Sequence, residues 1–93
     1  MKSTLKILFA DDDLKYSLVL KRFLEREGYE VTYTGNGTMA LKQFPVVKPD
    51  LVLLDINMPG LNGFEVAEKI REQDRHVLIF FLSDLSLIHI SEP

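Results

Sequence analysis

Apolar and polar positions follow one another along this chain in a pattern that predicts parallel strands joined by helices. Short runs rich in branched and aromatic side chains predict strands at residues 5–10, 29–34, 51–54 and 77–82. Helical spacing of apolar residues predicts helices over residues 14–27, 38–44 and 63–72, and Pro45 is expected to stop the second. Strands that alternate with helices form right-handed βαβ units, so the pattern predicts a parallel α/β sheet.

Acidic residues follow two of the predicted strands at the point where each strand ends. The first strand runs into Asp11, Asp12 and Asp13, and the third ends in Asp55, just before a turn at Pro59. Open α/β sheets place their chemistry at the carboxyl ends of their strands. The sequence therefore predicts one carboxylate cluster, which requires either a bound cation or raised pKa values.

The composition narrows the classes of function that fit. The chain has 93 residues, enough for one domain, and a formal net charge of -3, which argues against direct contact with nucleic acid. It contains no cysteine, so disulfides, thiolate chemistry and zinc fingers are excluded. No signal-peptide core or membrane-length apolar run is visible, so we expect a cytoplasmic protein without a membrane partner.

Four segments of the sequence resemble the receiver domain of bacterial two-component response regulators, of the chemotaxis-regulator type. They are KILFADDD at 6–13, EGYEV at 27–31, PDLVLLDINMPG at 49–60 with NG at 62–63, and FFLS at 80–83. The resemblance implies a flavodoxin-like parallel sheet with strand order 2-1-3-4 in the part of the domain present here. That order would place the first and third strands side by side, so that their acidic ends converge.

The resemblance also implies a role for each site residue. Asp55 corresponds to the phosphoacceptor, which takes a phosphoryl group from a sensor histidine kinase and thereby switches an output domain or a downstream regulator. Asp11, Asp12, Asp55 and the backbone carbonyl of Asn57 correspond to the ligands of Mg²⁺, and Ser83 to the switch hydroxyl that contacts the phosphoryl group. Magnesium prefers this kind of oxygen ligand set, with carboxylates, waters and phosphate.

Plainer interpretations exist for each of these residues. Asp13 is expected to be the N-cap of the first helix, and a cap alone would explain one of the three aspartates. Asp55 and Asn57 could be ordinary turn residues before Pro59. Ser83 could be a structural cap at a strand end, although its position favours the switch role.

The sequence departs from the receiver pattern after the fourth strand. The family has a fifth strand ending in a lysine that pairs with the phosphoryl group, whereas the last lysine here is Lys69. Asp84 also stands where a small residue is usual. We therefore expect residues 1–84 to be a partial receiver domain that lacks the fifth strand and the last helices, and the truncated chain to be inactive or impaired. Residues 85–93, LSLIHISEP, resemble a translated sequencing adapter and are expected to be a non-native tail.

Loss of the last elements has structural consequences that can be predicted. The strand at 77–82 would become an open sheet edge. The sheet face beside the first helix would lose its cover, which is expected to expose Ile7, Phe9 or Leu53. Exposed apolar surface of this kind predicts low stability and self-association of the chain.

Two other functions remain open from the sequence. A magnesium-dependent phosphohydrolase could use Asp55 as its nucleophile, but such enzymes carry a second aspartate two residues on, where this chain has Asn57. A non-phosphorylated interaction module would use the fold without the chemistry. The receiver interpretation, in which the chain is a switch and not an enzyme, accounts for all four segments.

Overall fold

In the described part of the chain, eight regular elements are arranged around one sheet. The structure is a computed structural model that describes residues 4–82 and the backbone of residues 88–91. The elements in chain order are β1 (Lys6–Ala10), α1 (Leu14–Arg26), β2 (Glu30–Thr34), α2 (Gly37–Val47), β3 (Leu51–Asp55), α3 (Gly63–Gln73), β4 (Leu78–Leu82) and β5 (Ile88–Ser91).

The sheet has the order β2-β1-β3-β4-β5, and its first four strands are parallel. Ala10 at the end of β1 pairs with Thr34 of β2 on one side and with Leu54 of β3 on the other. Asp55 pairs with Leu82 of β4. The predicted α/β sheet of order 2-1-3-4 is confirmed, and its strands end together at one edge.

The far edge of the sheet differs from the expectation. β5 pairs antiparallel with β4, from Leu82 opposite Ile88 to Ile79 opposite Ser91. The expectation that β4 forms the open edge is therefore wrong. A row of unpaired backbone groups at a sheet edge can bind an extended segment of almost any sequence, and here β5 pairs with that row. Such pairing uses the backbone and carries no information about origin, so the interpretation of residues 85–93 as a non-native tail stays a prediction.

The helices begin and end at recognisable capping residues. The Asp13 carboxylate accepts a hydrogen bond from the Tyr16 N–H at 3.1 Å, which confirms Asp13 as the N-cap of α1. Asn62 and Glu65 form a reciprocal capping box at the start of α3, with both hydrogen bonds 2.9 Å long.

Pro45 does not stop α2, contrary to the sequence expectation. The helix continues to Val47, and the Lys48 N–H still donates to the Phe44 carbonyl at 3.0 Å. Proline removes one backbone donor and disturbs one turn. Here the remaining turn is closed by Lys48, whose positive φ of 51° ends the helix in the left-handed conformation.

Apolar side chains pack on both faces of the sheet. One cluster lies on the face covered by α2 and α3, and includes Leu8, Leu54, Val66 and Ile70. A smaller cluster lies beneath α1. It contains Ile7, Phe9, Val31, Leu53 and Leu82.

The expected exposure of Ile7, Phe9 and Leu53 is wrong, since all three are buried. Leu20 and Leu24 of α1 pack against their cluster. What stays open beside α1 is an apolar groove of about 450 Å³, which we call the α1 groove. Its lining includes Leu5, Phe23, Leu51, Leu78 and Phe80. No helix in the described part of the chain combines the length and apolar character needed to cross a membrane.

Candidate functional site

Three carboxylates meet at the carboxyl edge of the sheet. Asp11 follows β1 directly and Asp55 ends β3, and these strands are neighbours. One carboxylate oxygen from each of Asp11, Asp12 and Asp55 lies within 4.8 Å of the others. The strand-end pattern therefore predicted the cluster correctly.

Hydrogen bonds to its neighbours hold Asp11 in place. The Asp11 N–H donates to the Thr34 carbonyl at 3.2 Å, which continues the pairing of β1 with β2 by one residue. The Asp13 N–H donates to Asp11 Oδ1 at 2.9 Å, and the Tyr33 hydroxyl donates to the Asp11 carbonyl oxygen at 2.6 Å. Asp11 is buried, whereas Asp12 is exposed, so the cluster has one side closed by protein and one side open to solvent.

Asp55 is held by the turn that follows β3. The Asn57 N–H donates to Asp55 Oδ1 at 3.1 Å, and the Ile56 N–H donates to the Leu82 carbonyl at 3.0 Å, which extends the ladder with β4 past Asp55. Asp55 therefore does shape the turn, as the plainer interpretation proposed, while its carboxylate also joins the cluster. The role of the Asn57 carbonyl as a ligand stays a prediction.

A close backbone contact fixes this turn against α3. The Gly63 N–H donates to the Ile56 carbonyl at 3.1 Å. A Cβ atom placed on Gly63 would lie 2.5 Å from the carbonyl oxygen of Asp55, so only glycine permits this approach. The sequence predicted only that the third helix begins at residue 63, because a close contact between two backbone segments leaves no periodic pattern.

Burial and like charge together raise the pKa values of the two buried carboxylates. Burial raises the pKa of Asp55 from its usual 3.8 to about 7, against the opposing hydrogen bond from the Asn57 N–H, and the charge of Asp11 adds to the rise. Burial likewise raises the pKa of Asp11, and the charges of Asp12 and Asp13 act in the same direction. The cluster therefore favours either a proton or a cation.

The donor set fits a hard divalent cation. All three clustered groups offer carboxylate oxygens, and the exposed position of Asp12 leaves room for water or phosphate oxygens, as Mg²⁺ requires. Ser83, predicted to contact the phosphoryl group, lies outside the described residues. Leu82, which precedes it, is the β4 partner of Asp55.

Comparison with known families identifies the class of protein. Residues 7–89 match the response regulator receiver domain, and the chain belongs to this family. Receiver domains are mainly signalling modules of two-component systems, and the parallel sheet and acidic edge described above are the features the family resemblance implied.

Individual relatives share the domain in different contexts. The alkaline phosphatase synthesis transcriptional regulatory protein PhoP of Bacillus subtilis is 43% identical over 68 residues, covering 73% of this chain and 28% of the relative. The sensor protein EvgS of Escherichia coli K12 is 40% identical over 79 residues, covering 85% of this chain and 7% of the relative. The chain thus spans less than a third of the length of these two curated relatives.

A solved structure of a response regulator has a similar fold. The response regulator TrrA of Thermotoga maritima, determined in complex with Mg²⁺-BeF, superposes with a TM-score of 0.82 at 42% identity, covering 86% of this chain and 70% of that one.

Proposed function

We propose that this chain is a phosphoacceptor receiver in which Asp55 accepts a phosphoryl group from the phosphohistidine of a sensor histidine kinase. Asp11, Asp12, Asp55 and the Asn57 carbonyl are proposed to hold Mg²⁺. The observation that supports this best is the convergence of three carboxylate oxygens within 4.8 Å at the carboxyl edge of the sheet. The magnesium in the TrrA complex supports the choice of ion.

The transfer step is a displacement at phosphorus. An Asp55 oxygen forms the new O–P bond while the P–N bond to the donor imidazole breaks. The bonding electron pair leaves with the imidazole nitrogen, which takes up a proton. Since the Asn57 N–H already occupies Oδ1, we assign Oδ2 as the attacking oxygen. Magnesium, when bound, supplies the positive charge that keeps Asp55 ionised and offsets the charge of the phosphoryl group.

The buried carboxylates explain why the site needs that charge. Asp55 with a pKa of about 7 is partly protonated at neutral pH, and a protonated carboxyl is a poor nucleophile. Asp11 lies beside it and repels an anionic phosphoryl donor when ionised. A cation at this site would raise the ionised fraction of Asp55 and offset the charge of Asp11, and both effects would favour the transfer.

The phosphorylated domain is proposed to switch an output domain or a downstream regulator outside this chain, in the cytoplasm, with Ser83 as the phosphoryl-contacting switch. Relatives support a modular role, because the matching segment occurs both in a transcriptional regulatory protein and in a sensor protein. Self-association through the apolar α1 groove is part of the same proposal.

Phosphorylation of the 93-residue chain by a small phosphodonor with Mg²⁺ tests the proposal. After a prolonged incubation, which allows for the impaired activity expected of this chain, intact-protein mass spectrometry should show one added phosphoryl group, lost in Asp55→Asn and kept in Asp50→Asn. Asp50 is a matched control at the opposite end of β3, where it is exposed and its Oδ2 accepts the Lys6 N–H at 2.8 Å.

Three results would contradict the proposal. Undiminished labelling of Asp55→Asn would point to another acceptor. Continuous turnover of a phosphate ester that depends on Asp55 would instead support the phosphohydrolase alternative. Absence of labelling in the parent chain under conditions where Mg²⁺ binds would favour the non-phosphorylated interaction module.

A further inference from the structure

Tyr33 connects the end of β2 to the backbone between the two acidic residues that follow β1. Its hydroxyl donates to the Asp11 carbonyl oxygen at 2.6 Å, and this hydrogen bond is partly buried. The carbonyl belongs to the peptide unit that joins Asp11 to Asp12. A single side chain from the neighbouring strand therefore holds the backbone unit that carries both carboxylates.

Tyr33 adds a restraint on the carbonyl of this peptide unit that the other hydrogen bonds of Asp11 do not supply. The Asp11 N–H is tied to Thr34, and the Asp11 carboxylate accepts from the Asp13 N–H. Neither bond uses the Asp11 carbonyl. Because Asp12 is exposed, packing restrains its side chain little, and its direction follows from the orientation of the peptide unit before it.

We propose that Tyr33 is a positioning residue for the cation site. Its hydroxyl fixes the Asp11–Asp12 peptide unit so that both carboxylates face the same ion as Asp55. Tyr33 does not touch the ion, and it acts through the backbone. This inference rests on the proposed function, because it assigns Tyr33 to the same Mg²⁺ site.

Tyr33 also has a structural role that must be separated from the proposed one. Its ring packs on Phe9, with centroids 5.6 Å apart and planes tilted by 56°, and belongs to the apolar cluster beneath α1. A half-buried tyrosine often donates its hydroxyl to a nearby carbonyl only because a buried hydrogen-bond donor needs an acceptor. The ring and the hydroxyl can be removed independently, so the two roles predict different results.

The test compares the Mg²⁺ affinity of four forms of the 93-residue chain by isothermal titration calorimetry. Thermal melts followed by circular dichroism identify a temperature at which every form is fully folded, and the titrations are made at that temperature. Tyr33→Phe, which removes only the hydroxyl, should bind Mg²⁺ about three- to tenfold more weakly, as expected for one lost hydrogen bond. Tyr29→Phe, a tyrosine on the α1 groove, should bind like the parent chain.

Phe9→Leu completes the set, because it removes the ring contact and keeps the Tyr33 hydroxyl. We expect it to lower the melting temperature and to leave the Mg²⁺ affinity unchanged. In addition, phosphorylation of Tyr33→Phe should be slow at low Mg²⁺ and should recover the parent rate when Mg²⁺ is saturating. A misfolded site would not recover in this way.

The outcomes separate this inference from the proposed function. A parent chain that binds no Mg²⁺ overturns the proposed function and this inference with it. A parent chain that binds Mg²⁺, with Tyr33→Phe at equal affinity, overturns only the role of Tyr33. Equal weakening in Phe9→Leu and Tyr33→Phe would assign the effect to ring packing and would also overturn it.

Discussion

The two faces of the sheet are both apolar, but only one is closed. On the α2–α3 face, Leu8, Leu54, Val66 and Ile70 are fully buried between the strands and two helices. On the other face, α1 is the one helix among the described residues that covers the sheet, and Leu78 of β4 remains 47% exposed at the α1 groove. The apolar pattern of the sequence thus indicates which residues belong to a core. The number of helices that cover each face decides how much of that core excludes water.

The carboxylate cluster is in contact with residues that pack on both faces of the sheet. Asp55 is 9% exposed, and its backbone lies close to Gly63 of α3, which covers the closed face. Asp11 is tied by Tyr33, whose ring packs in the cluster beneath α1. The site therefore depends on packing on either side of the sheet.

The largest expected effect is on the free energy of unfolding, when one apolar side chain on each face of the sheet is truncated in turn. Ile70→Ala removes a fully buried side chain from the closed face and should lower the free energy of unfolding by about 4 kcal/mol. Leu78→Ala, at the half-open groove, should lower it by less than about 1 kcal/mol, since its side chain already contacts water. Urea denaturation monitored by circular dichroism measures both changes, and equal losses would remove the distinction between the faces.

The second prediction tests whether Asp55 behaves as a buried group. Its pKa is raised in the folded state, so its contribution to stability is complete below about pH 4 and is lost as the pH rises through about 7. Without divalent cations, the free energy of unfolding should fall by about 3 kcal/mol across this window.

Asp55→Asn carries no titrating group at that position, so its stability should fall less between pH 4 and 7 than that of the parent chain, with Asp11 still titrating, and should exceed that of the parent chain near pH 8. Urea denaturation in the presence of a chelator measures the pH profile. A profile for the parent chain that rises with pH would show that the carboxylate is stabilised as an anion.

The smallest expected effect concerns self-association. Phe23 is 57% exposed on the α1 groove, and Phe23→Lys should reduce concentration-dependent association, because it places a charge on the apolar surface. Val46→Lys is the matched control, since Val46 is 74% exposed on α2 and does not line that groove. Sedimentation velocity at several concentrations measures the difference. An equal response of both variants would show that self-association does not use the α1 groove.

Much of the fold and the acidic cluster was predictable, because both depend on short-range pattern. Apolar runs ending in Asp11 and Asp55 specify parallel strands and the edge at which their carboxylates meet. The Asp13 cap was equally local.

The features that the sequence did not predict depend on contacts between distant segments or on small energy differences. The extension of α2 beyond Pro45 to Val47 is closed by the hydrogen bond from the Lys48 N–H to the Phe44 carbonyl. The burial of Phe9 depends on side chains of α1 and β2, and the hydrogen bond of Tyr33 depends on the position of one side chain across two strands. None of these leaves a periodic signal.

The strand order has a consequence for the way the chain folds. Every pairing among β1 to β4 is parallel and joins segments separated by a helix, whereas β4 and β5 are adjacent in sequence. Non-local pairings form slowly because the intervening chain must first be ordered. Asp11 and Asp55 come from the ends of β1 and β3, so their cluster is absent until that central pairing exists. A cation that bound there would therefore be a ligand of the native state alone, and it would stabilise the folded chain by mass action.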